Sequence, residues 1–118
     1  MTKREPTKSF RDLIVWQKAH QLALGIYKMT KSLPKEELYG STSQVKRSSV
    51  SAVANIAEGF KKKGKADKLR FFNITQGSLS ETEYYLILAK DLECFNTDLL
   101  IEDAIEVGRL LESYYECV

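Results

Sequence analysis

The sequence predicts an all-α protein built as an antiparallel up-and-down four-helix bundle, and three observations predict it. Apolar residues recur at helical spacing through four separate stretches. The only two prolines, Pro6 and Pro34, fall outside those stretches, so each can run as an uninterrupted helix. No segment sustains the alternation of a strand. With 118 residues, 43% hydrophobic and 29% charged, the composition is that of one globular domain, placed at residues 10–118. A chain of this size buries enough surface for a core without cross-links.

Residues 1–9 are polar and read as a flexible tail. From about Asp12 to Lys31, Leu13, Trp16, Ala19, Ala23, Ile26, Tyr27 and Thr30 make the apolar face of the first helix, with Lys18, Gln21 and Lys28 elsewhere on the wheel. Leu33-Pro34 ends it, and Pro34-Lys35-Glu36-Glu37 reads as a short helical turn stopped at Gly40. Ser41 with Gln44 three residues on has the form of a capping box, so the second helix is expected from near Thr42 to Lys61. After a short loop at Gly64, Asp67 is a good N-cap for a third helix reaching Cys94, with Phe71, Thr75, Leu79, Thr82, Leu86 and Ala89 inward. A fourth, from Leu99 to Tyr115, presents Ala104, Val107, Leu111 and Tyr114. Helices of about 20 residues are roughly 30 Å long, and short connections make neighbours antiparallel.

The charge pattern narrows the function. Residues 1–80 hold 16 Lys and Arg against 6 Asp and Glu, whereas 81–118 hold 2 against 10. Such a division fits an anionic partner on the basic side, or two halves that attract each other within or between subunits. Two cysteines, Cys94 and Cys117, make neither a disulfide framework nor a metal-ligand cluster and fit a reducing, cytoplasmic setting as small, partly buried thiols. No signal peptide is expected, and the longest charge-free run, 48–57, is far shorter than a membrane span of about 20 residues. A soluble protein is therefore expected, with no membrane partner.

Catalysis has no visible carrier. The single histidine, His20, lies mid-helix without a sequence-local partner, and there is no partnered nucleophile, metal pair or glycine-rich phosphate loop. No cofactor and no metal are expected. Gly59 reads as a helix-ending glycine, and Gly77-Ser78 as a site where two helices approach closely.

Two segments remain as candidates. On a wheel of about 100° per residue, Gln44, Arg47, Ser48, Ser51, Asn55 and Glu58 share one arc of the second helix, with Val45, Ser49, Ala52, Val53, Ile56 and Phe60 opposite. That stripe reads equally as a recognition or subunit surface and as a solvated helix face. Gln44, Ser51, Asn55 and Glu58 are the structural or interface candidates, with Glu58 expected to pair with Arg47 of a neighbouring helix or subunit. The second segment runs from Lys61 to Arg70. Lys61, Lys62, Lys63, Lys65, Lys68 and Arg70 gather at one end of a helical hairpin, where they can neutralise phosphates, and Lys46 and Arg47 are outlying contacts. The competing reading is a solubilising loop whose first lysines suit the negative end of the second helix.

Phe10-Arg11-Asp12-Leu13-Ile14-Val15-Trp16-Gln17-Lys18-Ala19, then Tyr39-Gly40 with Gln44-Val45-Lys46-Arg47, then Asn55-Ile56-Ala57-Glu58-Gly59, then Gly77-Ser78 ahead of Glu81, together resemble the 23S rRNA intervening-sequence protein family. These bacterial bundles are similar in fold to the accessory variability determinant of diversity-generating retroelements. The resemblance runs from Phe10 to the C-terminus. It implies a ring-like homopentamer, no catalytic activity, and a basic surface of the kind by which the retroelement relative is thought to bind RNA or DNA and a reverse transcriptase. Some members are encoded within insertions in 23S rRNA genes. Three positions depart from the family pattern. Ser41 stands where leucine often follows Tyr-Gly, Lys46 where arginine is favoured, and Val53 where proline is common. Lysine keeps the charge but loses the planar fork that suits phosphate, and a helix without that proline should be straighter. The leading expectation is a non-enzymatic homo-oligomer that binds RNA or other nucleic acid. Its rival is a protein-interaction scaffold in which basic and acidic surfaces meet.

Overall fold

The computed structural model describes residues 9–32 and 41–117. A single 3-10 turn, Phe10–Asp12, leads into α1 (Ile14–Lys31), α2 (Ser41–Lys61), α3 (Lys65–Asp91) and α4 (Asp98–Glu116), with no strand among the described residues. The tail over 1–8, the stop at Leu33-Pro34, the turn over Pro34–Glu37 and Tyr39-Gly40 lie outside them. Each helix packs on two others, α1 on α2 and α4, and α3 on α2 and α4, which closes the four-helix bundle. It measures 53 × 34 × 19 Å, so its thin direction is two helix layers of about 10 Å each.

The core is built from Val15, Leu22, Ile26 and Met29 of α1, Val45, Ala52 and Ile56 of α2, Leu79 and Leu86 of α3, and Val107 and Leu111 of α4. The face expected for α3 is the one buried, down to Thr75 and Thr82, and in α4 Ala104, Val107 and Leu111 are buried as expected while Tyr114 is half-buried. Those two hydroxyls reach the core because each donates to its own helix, Thr75 to Phe71 O at 2.7 Å and Thr82 to Ser78 O at 2.9 Å, so neither enters it unsatisfied. The α1 face is buried as expected at Ala19, Ala23, Ile26 and Thr30, but it extends to Val15, Leu22 and Met29, whereas Leu13 and Trp16 are only half-buried and Tyr27 is exposed.

The ends of the helices show where local chemistry overrode the expected caps. The 3-10 turn opens with Ser9, whose hydroxyl accepts from Arg11 N at 3.1 Å, and Gln17 reaches back to Arg11 O at 2.9 Å. Ser41 is the first helical residue of α2 rather than its cap, a shift of one position. Asp67 is not the cap of α3. Gly64 is, and Asp67 lies in the first turn, where a carboxylate is favoured by the positive end of the helix and sits 3.7 Å from Arg70.

Helix α3 stops at Asp91, short of Cys94, because Glu93 adopts a left-handed φ of 60°. Glu93 N donates to Lys90 O and Cys94 N to Ala89 O, each at 2.9 Å, the paired bonds of a Schellman cap. Glycine is the residue that adopts this conformation without strain. Glu93→Gly should therefore raise stability by up to about 1 kcal/mol, read as a higher midpoint in urea. Beyond the cap, Thr97 Oγ1 donates to Leu86 O at 2.6 Å and Lys90 Nζ lies 2.6 Å from Asp98, which together close the α3–α4 connection.

Candidate nucleic-acid interface

The α2–α3 hairpin turns through three residues, 62–64, and so brings the end of one helix and the start of the next into one cationic corner. Its six cations are not equivalent. Lys61, Lys63 and Lys65 are exposed and have no acidic partner within 4 Å among the described residues. Lys62 Nζ stands 5.3 Å from the Phe71 ring centre and the Arg70 guanidinium 4.9 Å from it, so both lean on a buried aromatic ring. Arg70 is further engaged by Asp67. Lys68 Nζ points at Gly59 O and Phe60 O, both at 3.4 Å, where a cation suits the last carbonyls of α2. Three cations are thus presented outward, and three are partly occupied in holding the corner together.

Lys46 and Arg47 lie elsewhere. They are about fifteen residues from the corner, roughly 22 Å along α2, so no single short contact spans both. Lys46 Nζ sits 5.3 Å above the Tyr27 ring, and Arg47 is exposed.

The polar stripe of α2 is divided between interior and solvent. Ser48 is buried and its Oγ lies 2.8 Å from Thr82 Oγ1, while Ser51 Oγ lies 2.9 Å from Ser78 Oγ. Thr82 donates to Ser78 O and Ser48 Oγ lies 3.3 Å from Val45 O, so each hydroxyl of the first pair has a carbonyl acceptor in its own helix as well as the other hydroxyl. Asn55 Nδ2 donates to Ser51 O at 2.8 Å and Ser51 Oγ at 3.1 Å, which leaves the Ser51 hydrogen for Ser78. The expected outward surface is, at Ser48 and Ser51, the α2–α3 contact of one chain, and Asn55 orients it. Gln44 is half-buried at the start of the same helix. Glu58 is exposed and lies about 16 Å along the helix from Arg47, so the two do not pair within the chain.

Behind the corner, Gly59 packs so tightly that a Cβ there would come within 2.6 Å of Tyr115 Oη and 2.9 Å of Phe71 Cβ. The Gly59 position is therefore set by crowding against Phe71 of α3 and the tip of Tyr115 of α4 rather than by helix termination. Gly77, by contrast, is exposed with open space around it, so the close approach at that point is made by Ser78 alone. Tyr115 Oη is buried with no hydrogen-bond partner among the described residues. Burial, with a smaller effect from Tyr114, pushes its phenol up to about 12. Nothing in the sequence marks this tyrosine, since Gly59 and Tyr115 meet only through the fold.

On the opposite side, α1 and α2 enclose an open apolar groove of about 480 Å³. Phe10 meets Trp16 edge-on at 5.1 Å and Trp16 stacks on His20 at 5.1 Å and 15°, which accounts for the histidine as a packing residue. Leu24, Tyr27 and Val50 continue the groove at 56%, 41% and 44% exposure. Cys94 is half-buried and Cys117 is exposed, a correction for the latter, and both are free thiols. Among the described residues no cluster of His, Cys, Asp and Glu is placed to hold a metal ion, and no helix is long and apolar enough to cross a membrane.

Comparisons with known proteins agree on one relationship. A family model described as 23S rRNA-intervening sequence protein matches residues 11–113. A crystal structure of a protein of unknown function from the S23 ribosomal protein family of Bacteroides thetaiotaomicron superposes with a TM-score of 0.80 at 29% identity, covering 87% of this chain and 96% of that one. No curated protein matches the sequence.

Proposed function

The chain belongs to the 23S rRNA-intervening sequence protein family, and from that premise we propose that it is a non-catalytic, self-assembling bundle that binds RNA or other nucleic acid at the α2–α3 corner. The observation that carries the reading is the outward set Lys61, Lys63 and Lys65, three cations within five residues and with no acidic partner within 4 Å among the described residues. Ammonium groups in this state release counterions from a phosphate backbone on binding, giving affinity without reading sequence. Lys62, Lys68 and Arg70 shape the corner and add charge behind it.

A salt titration of RNA binding tests the proposal. Replacing Lys61, Lys63 and Lys65 together by Gln should weaken binding to all sequences about equally. The slope of log affinity against log salt should fall in magnitude by about 0.9 per lost duplex contact, or about 0.7 per single-strand contact. The melting temperature should hardly move, because all three are surface positions. Indistinguishable curves, or no binding by either protein near 50 mM salt, would reject this function.

Self-assembly is the second half of the proposal, and the α1–α2 groove supports it. An apolar trough with exposed Leu24, Tyr27 and Val50 is a surface that water disfavours. The described parts of α1 and α2 carry one acidic residue, Glu58, whereas α4 carries six against a single arginine. Docking the α1–α2 face of one copy on the acidic side of the next is a head-to-tail contact, the kind that gives a ring when the rotation between copies closes. Several copies of a modest cationic corner facing one RNA would multiply a weak attraction. Leu24→Asp should lower the mass measured by light scattering toward the monomer while leaving the helical content intact. A wild-type protein that is already monomeric at micromolar concentration would sink this part.

A further inference from the structure

Next to the cationic corner, the first turns of α3 and the last turns of α4 enclose a cavity of about 520 Å³, a size within the roughly 300–1,000 Å³ of small-molecule sites. Its two walls are opposite in charge. Lys65 and Lys68 rise from α3, while Glu112 and Glu116, one turn apart, rise from α4. Neither carboxylate has an ion-pair partner within 4 Å among the described residues. The floor is aromatic, formed by Phe72 and Tyr115 with ring centres 4.7 Å apart, and Gln76 follows Phe72 one turn along α3.

We propose that this cavity receives one unpaired guanine of the bound strand, with the phosphate of that nucleotide on Lys65. The inference rests on the nucleic-acid reading above and adds a base-reading site to it. Unstacked bases are held on aromatic side chains and read along their hydrogen-bonding edge. Ionised carboxylates only accept hydrogen bonds. Guanine turns two neighbouring donors, N1–H and the N2 amino group, toward such an acceptor, whereas adenine and cytosine set an acceptor beside their amino group and uracil offers a single N–H between two carbonyls. Like-charge repulsion keeps the phosphate away from Glu112 and Glu116 and so fixes which way the nucleotide enters. Lys65 belongs to both the outward cationic set and the cavity wall, which makes the two surfaces continuous.

The test compares three labelled RNAs of about eight nucleotides, all uridine except at one central position that is guanosine, uridine or abasic. Their affinities are read by fluorescence anisotropy at fixed salt. The guanosine strand should bind about tenfold more tightly than the abasic one, the gain of a single stacked base. Glu112→Ala should remove the advantage of guanosine over uridine and leave the salt slope and melting temperature unchanged, a pattern that a merely structural role would not give. Guanosine 5′-monophosphate carries the same base and one phosphate, and should compete only at concentrations roughly a hundredfold higher. Competition by the mononucleotide at the strand's own concentration would assign the cavity to free nucleotides and overturn its assignment to a strand. Equal binding of all three RNAs would overturn the guanine site while leaving the cationic corner intact, and binding of none would overturn both.

Discussion

Leu111→Ala is expected to lower the stability of the bundle by about 2–5 kcal/mol, out of a total of roughly 5–15 kcal/mol for a domain of this size. Leu111 is fully buried, inside the cluster to which all four helices contribute, so the methyl groups removed leave a hole that no single neighbour can fill. A melting temperature lower by roughly 10–20 °C would report it. The control lies on the same helix. Leu99 is 75% exposed, and Leu99→Ala should stay within about 0.5 kcal/mol of the wild type. Similar losses from the two substitutions would mean that the core is not where the fold places it.

Gly59→Ala is expected to destabilise by about 1–3 kcal/mol, although alanine is the better helix former by up to about 1 kcal/mol. The added methyl would press on Phe71 Cβ, an atom fixed to the α3 backbone, and on Tyr115 Oη, the movable tip of a side chain. Tyr115→Phe removes the second contact and the orphaned hydroxyl together. By itself it should be neutral or mildly stabilising. In combination it should restore part, but not all, of what Gly59→Ala loses, because the backbone-fixed contact remains. A double-mutant cycle in urea measures the coupling, and strict additivity would show that the two positions do not touch.

The parts of the fold visible in the sequence are those where one physical signal dominates. Helices α3 and α4 announce their inner faces because apolar spacing is uninterrupted, and Thr75 and Thr82 fit there by bonding back to their own carbonyls. In α1 two signals compete. Trp16 and Tyr27 are the largest apolar groups, yet the core takes Val15, Leu22 and Met29 and leaves the rings to line the groove, where Trp16 stacks on His20. In α2, Ser48 and Ser51 fall on the polar arc of the wheel, but a serine is small enough to sit between two closely packed helices once its hydroxyl has a partner across the contact. The cationic corner is legible as a run of residues. Its division into outward and engaged lysines is not, since Phe71 and the α2 carbonyls become partners only when the hairpin closes. The cavity beside it joins distant parts of the chain, and no local pattern could bring Lys65 and Glu112 together.

The bonds between Ser48 and Thr82 and between Ser51 and Ser78 also bear on how the chain finds its fold. A hairpin of two long helices joined by a three-residue loop is a local structure of low contact order, so it is well suited to forming early. Early hairpins can close one turn out of place, and two smooth apolar faces would tolerate the slip. Here a slipped hairpin forfeits both hydroxyl contacts across the two helices, each worth about 0.5–1.5 kcal/mol. Misaligned pairs are then less stable than the correct alignment by that loss. The two hydroxyl pairs thus favour one alignment of α2 against α3 over its one-turn neighbours.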